Sequence, residues 1–118
     1  MTGIFLSGYI RGMDTVTLSA LAEPNRLRIV ELLRDGPHPV GEIATRLSLR
    51  QPQVSKHLRV LSEAGLVGVR PVAQQRLYQL QAKPFQELDS WVNTFRQLWE
   101  GRMDTLDEYM QELKKQNK

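Results

Sequence analysis

The sequence predicts a mainly α-helical fold with one small β-hairpin and a long C-terminal helix. Three observations carry this expectation. Apolar residues recur at helical spacing from Thr15 to Ala64, the period falls to two after Gly65, and a helical period returns at Phe85 and runs to Leu113. The 118 residues, 41% of them hydrophobic, suffice for one domain with a core of ordinary size.

Residues 1–13 form a mildly apolar leader, MTGIFLSGYIRGM, without the basic start of a signal peptide. A short helix is expected over 15–22. Glu23-Pro24 restarts the chain, because proline suits a helix's first turn. Leu27, Val30 and Leu33 then mark a face that runs to about Asp35, where Gly36-Pro37 stops it. Val40, Ile43, Ala44 and Leu47 fit another short helix. After a turn at 48–50, a helix over 51–64 buries Val54, Leu58 and Leu61, with Pro52 in its first turn and Gly65 at its left-handed end.

Beyond Gly65, Val67 and Val69 alternate with small or polar residues, and Leu77, Tyr78 and Leu80 follow a polar connection at 73–75. This pattern predicts a hairpin, and Pro71 assigns its first strand to an edge. Helix, turn, helix, hairpin is the winged-helix order. The last 35 residues read as one long helix. Phe85, Leu88, Val92, Phe95 and Trp99 repeat at three and four, and Met103, Leu106, Met110 and Leu113 continue after a one-residue shift. A helix of about 30 residues spans some 45 Å, so a small domain cannot cover its whole stripe. A helix from a second copy is the economical cover. The expected organisation is a leader (1–13), a winged helix-turn-helix DNA-binding domain (14–82) and a C-terminal dimerisation helix (83–118), with 14–118 forming a single structural domain.

The residues that the 51–64 helix does not bury are Gln51, Gln53, Ser55, Lys56, His57, Arg59 and Ser62, with no acid before Glu63. Amides, hydroxyl, imidazole and cations are the groups that bond base edges and phosphates in a DNA major groove. Charge points the same way. Residues 1–82 carry ten basic and six acidic side chains, +4, whereas 83–118 carry six and seven, −1. Between Ile43 and Gln81 the bases Arg46, Arg50, Lys56, Arg59, Arg70 and Arg76 face the single acid Glu63.

Other function classes find less support. Without cysteine there is no disulfide framework, thiol nucleophile or thiolate metal site. No apolar run approaches the roughly 18 residues of a membrane span, so a cytoplasmic protein is expected. No catalytic pairing or glycine-rich phosphate loop is present, and an enzyme is not expected. A winged helix used for protein contact is the stronger rival, although it has no need of an acid-free face.

The chain resembles the ArsR/SmtB family of bacterial winged-helix repressors. ALAEPNRLRIVELL is similar to the family's second helix, QPQVSKHLRVLSEAGLV to its recognition helix and RLYQL to its returning wing strand, and the likeness covers about residues 14–113. It implies a homodimer that binds an inverted-repeat operator in its own promoter. It puts Gln53, Ser55 and Lys56 on base edges, and Arg50, Gln51, His57 and Arg59 on or beside phosphates. Arg70 and Arg76 of the wing reach phosphates or the adjacent minor groove, and Leu88, Val92, Phe95, Trp99, Met103, Leu106 and Met110 form the dimer interface. The chain departs from the family in three places. Ala73-Gln74-Gln75 replaces a glycine-arginine wing tip, and Arg50 stands where Ser or Thr often caps the recognition helix. Pro39 and Gly41 occupy the positions of the family's metal-binding cysteines, and the last helix has Asp104, Asp107 and Glu108 but no histidine. No metal or other cofactor is therefore expected. Control by a partner protein or a small apolar ligand is open, although aromatic residues at helical spacing, Trp91 to Met103, are more often plain core.

Overall fold

The computed structural model describes residues 15–116, with side chains for all of these except 101–109 and 116. The expected leader lies outside the described residues. Along the chain run α1 (Thr15–Leu21), α2 (Pro24–Leu33), β1 (His38–Pro39), α3 (Val40–Leu47), α4 (Gln51–Glu63), β2 (Val67–Val72), β3 (Gln75–Leu80), α5 (Ala82–Asn93) and α6 (Arg96–Gln116). The winged helix-turn-helix order expected from the sequence is present.

Local chemistry fixes the joints. Glu23 caps α2, its Oε1 accepting from Arg26 N–H at 2.8 Å, and Pro24 takes the first turn. Arg26 reaches back across the joint, donating from Nε to Ala20 O at 2.7 Å and from Nη2 to Ser19 O at 3.3 Å. Those carbonyls lie at the C-terminal end of α1, where Ser19 O also accepts from Ala22 N–H at 3.2 Å, and a cation there supplies further donors and charge. Gly65, at φ +78°, ends α4 in a left-handed turn that closes with Leu66 N–H donating to Leu61 O at 2.9 Å.

The core lies where α1 to α4 meet the sheet. Ala20, Ile29, Val30, Leu33, Ile43, Ala44, Val54, Leu58, Leu61, Leu66 and Val67 are buried, with Tyr78, Leu80 and Phe85 packed against them. The buried stripe of α2 differs from the one read from sequence. Leu27 is 45% exposed, and the inward positions are Ile29, Val30 and Leu33. Arg26 begins that stripe, tolerated near the core because the α1 carbonyls accept from its guanidinium.

The sheet has three strands in the order β1-β3-β2, all antiparallel. The hairpin and the edge position of Pro71 agree with expectation. β1 does not come from the hairpin pattern: His38 pairs with Tyr78 and Pro39 with Leu77, making β3 the central strand. Two residues give no alternation to read.

The single C-terminal helix expected from sequence is instead two, α5 and α6, separated at Thr94-Phe95. There the backbone tightens: Thr94 N–H donates to Trp91 O and Phe95 N–H to Val92 O, both at 3.0 Å, three residues back instead of four. Thr94 Oγ1 donates to the same Trp91 O at 2.7 Å, and Asn93 Oδ1 accepts from Arg96 Nε. A Thr side chain competes for a backbone carbonyl in this way, and with Asn93 tied to the Arg96 side chain the helix is interrupted although its apolar spacing continues.

Candidate nucleic-acid interface

α4 lies across the helical layer on a wholly buried stripe. Val54 and Leu61 are 0% exposed and Leu58 1%. Period 3.6 then sends Gln51, Gln53, Ser55, Lys56 and Arg59 outward, and all five are exposed. Among the described residues of α4 the only acid is Glu63, at its last turn, away from the end that enters a groove in helix-turn-helix proteins.

Arg50 is the N-cap of α4 and makes no side-chain cap bond, since a guanidinium has no acceptor. Gln53 partly compensates from the third helical position, its Oε1 accepting from Arg50 N–H at 3.3 Å. The Arg50 side chain is left exposed beside the helix start.

Of the residues assigned to DNA from sequence, His57 is the one turned inward. Its side chain is 17% exposed, and Nδ1 lies 3.9 Å from Glu23 Oε1 at the α1–α2 joint. It sits among packed helices, not with the outward group, so it does not share the surface that the other DNA-facing candidates of α4 form. Glu23 gave no local signal of this role, being 34 residues from its partner. Its carboxyl is held below the ordinary range, chiefly by the Arg26 backbone N–H. Partial burial opposes this, and His57 adds a smaller pull in the same direction.

The wing arginines are exposed but do not share a surface. Arg70 pairs with Leu77 and Arg76 with Pro71 in adjacent rungs of the β2–β3 ladder. Adjacent rungs point to opposite faces of a ribbon, so Arg70 and Arg76 leave the wing on opposite sides. At the tip, Ala73 adopts φ +57°, a left-handed conformation more usual for glycine.

Along α5 and α6, Leu88 is half-buried while Val92 (41%), Phe95 (41%) and Trp99 (39%) are exposed, as is Met110. The side chains of Met103 and Leu106 lie outside the described residues. Sequence reasoning passed over Leu98, which is 68% exposed on the same helix and carries the largest fractional exposure among the exposed hydrophobics. Trp91 and Phe95 meet edge to face, with centroids 5.1 Å apart and planes at 79°. Among the described residues, no group of three His, Cys, Asp or Glu is placed to hold a metal ion, and no helix is long and apolar enough to cross a membrane.

A buried three-point stripe, an outward polar helix, a preceding short helix and a two-stranded wing define a winged helix-turn-helix protein. Comparison with known proteins narrows the class. A helix-turn-helix domain family matches residues 21–70. An HTH-type transcriptional regulator of Mycobacterium tuberculosis is 51% identical over 61 residues, covering 52% of this chain and 57% of that protein. The biofilm growth-associated repressor of Xylella fastidiosa is 35% identical over 79 residues, 66% of this chain and 69% of that one. Reduced HlyU from Vibrio cholerae superposes with a TM-score of 0.61 at 30% identity, over 81% of this chain and 96% of that structure. The homodimeric winged helix-turn-helix DNA-binding domain of Mb0332 from Mycobacterium bovis gives 0.57 at 27%, over 71% and 80%.

The chain belongs to the ArsR/SmtB family of winged helix-turn-helix transcriptional regulators. It spans 57, 56 and 42% of the lengths of the first three curated relatives it matches.

Proposed function

We propose that the protein is a cytoplasmic, homodimeric transcriptional repressor that binds an inverted-repeat operator through α4 and controls its own promoter. One observation carries this reading: the outward face of α4 is acid-free through its first three turns and consists of amides, a hydroxyl and cations. A solvated helix with no polyanion to meet has no need to exclude acids over that length.

In this reading Arg59 and Arg50 hold the phosphate backbone and set the register, while Gln53, Ser55 and Lys56 face base edges. Gln51 lies at the first turn beside them. Either Arg70 or Arg76, not both, contacts the backbone from a given face of the wing. The exposed stripe of Val92, Phe95, Leu98, Trp99 and Met110 is covered by the same stripe of a second copy. Pairing sets two α4 helices about 34–36 Å apart, one turn of duplex. Repression follows because an occupied promoter excludes polymerase. Relatives named as repressors, in Agrobacterium fabrum and Bacillus subtilis, support that sign, beside a Vibrio cholerae relative named as an activator. Pro39 and Gly41 carry no ligating side-chain atom, so no regulatory step is routed through a metal.

The test is selection of bound fragments from sheared genomic DNA of the source organism by the purified full chain. The salt is held at about 150 mM, because phosphate contacts make affinity steeply salt-dependent. Enrichment of one inverted repeat upstream of the protein's own coding region is the expected result. A winged helix used only for protein contact enriches nothing.

A further inference from the structure

Two glutamines lie in the first turn of α4, and one of them, Gln53, engages its carbonyl oxygen within the protein. Gln53 Oε1 accepts from Arg50 N–H at 3.3 Å. Only the oxygen end of an amide can accept, so this bond fixes which end of Gln53 is left for a ligand: the Nε2 donors. Gln51 Oε1 lies 3.8 Å from where a Cβ on Gly41 of α3 would stand, a van der Waals spacing that leaves this exposed amide able to accept as well as donate. The other outward groups, Arg50, Lys56 and Arg59, are donors only. Ser55, whose hydroxyl can donate or accept, and the Gln51 amide are the exceptions before Glu63. From Arg50 through Gln53 to Lys56 and Arg59, the groups left for a ligand are mainly donors.

Bases differ in what they offer to such a surface. In the major groove guanine presents two acceptors, N7 and O6. Adenine presents one acceptor and one donor, thymine one acceptor beside its methyl group, and cytosine a donor. A surface of donors therefore finds two partners on guanine, one on adenine or thymine and none on cytosine. The usual pairing of glutamine with adenine needs both ends of the amide. Here the oxygen is engaged, and releasing it strips Arg50 N–H of its only side-chain partner, since Arg50 cannot cap its own helix.

Resting on the DNA-binding reading above, we infer that α4 selects guanine and that Gln53 is the specificity-determining residue, donating from Nε2 to guanine N7 or O6. Arg50, through its backbone N–H, is a positioning residue: it orients the Gln53 amide without touching the base. This preference belongs to the pairing of Arg50 with Gln53, three residues apart, and not to the helix-turn-helix frame as such.

The experiment is a selection from duplexes carrying about 20 randomised base pairs, two helical turns and thus room for both half-sites. Wild-type full chain is compared with Gln53→Glu. Glutamate keeps an oxygen for Arg50 N–H but has no N–H for a base, and thermal melting monitored by circular dichroism checks its fold. The wild type is expected to enrich half-sites with guanine at one fixed position. Gln53→Glu is expected to lose that guanine while keeping the rest of the site, and to bind the wild-type site roughly tenfold more weakly, within the range of one base contact. Duplexes altered at that position give a readout on wild-type protein that does not depend on the variant folding. There 7-deazaguanine weakens binding if N7 accepts, and adenine, which keeps N7 but replaces O6 with an amino group, weakens it if O6 accepts. Full binding to both overturns the inference. An A·T or T·A pair enriched at that position, or an unchanged Gln53→Glu site, overturns the inference alone. No enrichment of any sequence by wild type overturns the DNA-binding reading and the inference with it.

Discussion

His57 and Glu23 show how a residue of apparent DNA-binding type can belong to the scaffold. By composition His57 fits a phosphate contact, yet it stands three residues after Val54 beside the buried stripe, and its Nδ1 comes within 3.9 Å of Glu23 Oε1 at the α1–α2 joint. Sequence spacing does not record that contact. By contrast Val54, Leu58 and Leu61 were legible because the 3.6-residue period alone determines their face, and with it the outward set from Gln51 to Arg59. Leu27 was misread for a related reason. The stripe it was assigned to begins with Arg26, and hydrophobicity does not register a charged residue held by carbonyls. Glu23 also makes stability depend on pH. Its folded-state pKa is depressed, so its contribution is present above the ordinary carboxylate value of 4.5 and is lost as pH falls through the lowered folded value. Urea denaturation of wild type and Glu23→Gln should differ fully at pH 6 to 7, and the difference should shrink as pH drops below 4. A gap that stays constant with pH places the carboxylate's role elsewhere.

At the scale of elements, the helices were readable where their ends carry strong signals: Pro24, Gly36, Pro52 and Gly65. β1 and the break between α5 and α6 were not. β1 is two residues long and is defined only by its partners Leu77 and Tyr78. The break is made by hydrogen bonds of Asn93 and Thr94 while the apolar period runs on unchanged. The wing tip offers a direct check on local strain. Ala73 holds φ +57°, where a Cβ is disfavoured. Ala73→Gly should raise stability by about 0.5–1 kcal/mol, less what glycine's added freedom in the unfolded chain removes. The urea midpoint should rise with an unchanged slope. A lower midpoint argues that the turn is not strained.

On the scale of the whole molecule, the C-terminal arm is what makes the chain incomplete by itself. The radius of gyration is 20.1 Å, against roughly 13 Å for a compact chain of this length. Phe85 packs on the core, yet Val92, Phe95, Leu98, Trp99 and Met110 remain exposed. Such a row of large apolar residues marks an interaction surface. Trp99→Glu combined with Leu106→Glu should convert the dimer to monomer in sedimentation velocity. Operator affinity should fall by an order of magnitude or more, because two half-sites are then bound independently. A tight dimer in that variant moves the interface away from this arm. Sequence indicated the stripe, while Leu98 emerged only with the exposure of the folded chain.

The central claim is that the outward face of α4 contacts DNA. Its most direct test is the salt dependence of binding to one duplex by wild type and by Lys56→Ala/Arg59→Ala, both shown folded by thermal melting. Each lost phosphate contact removes about 0.9 from the slope of log K against log salt. The double variant should therefore bind more weakly, with a slope shallower by at least about 0.9, the share of the Arg59 phosphate contact. Equal affinity and an equal slope would remove α4 from the binding face and contradict the account.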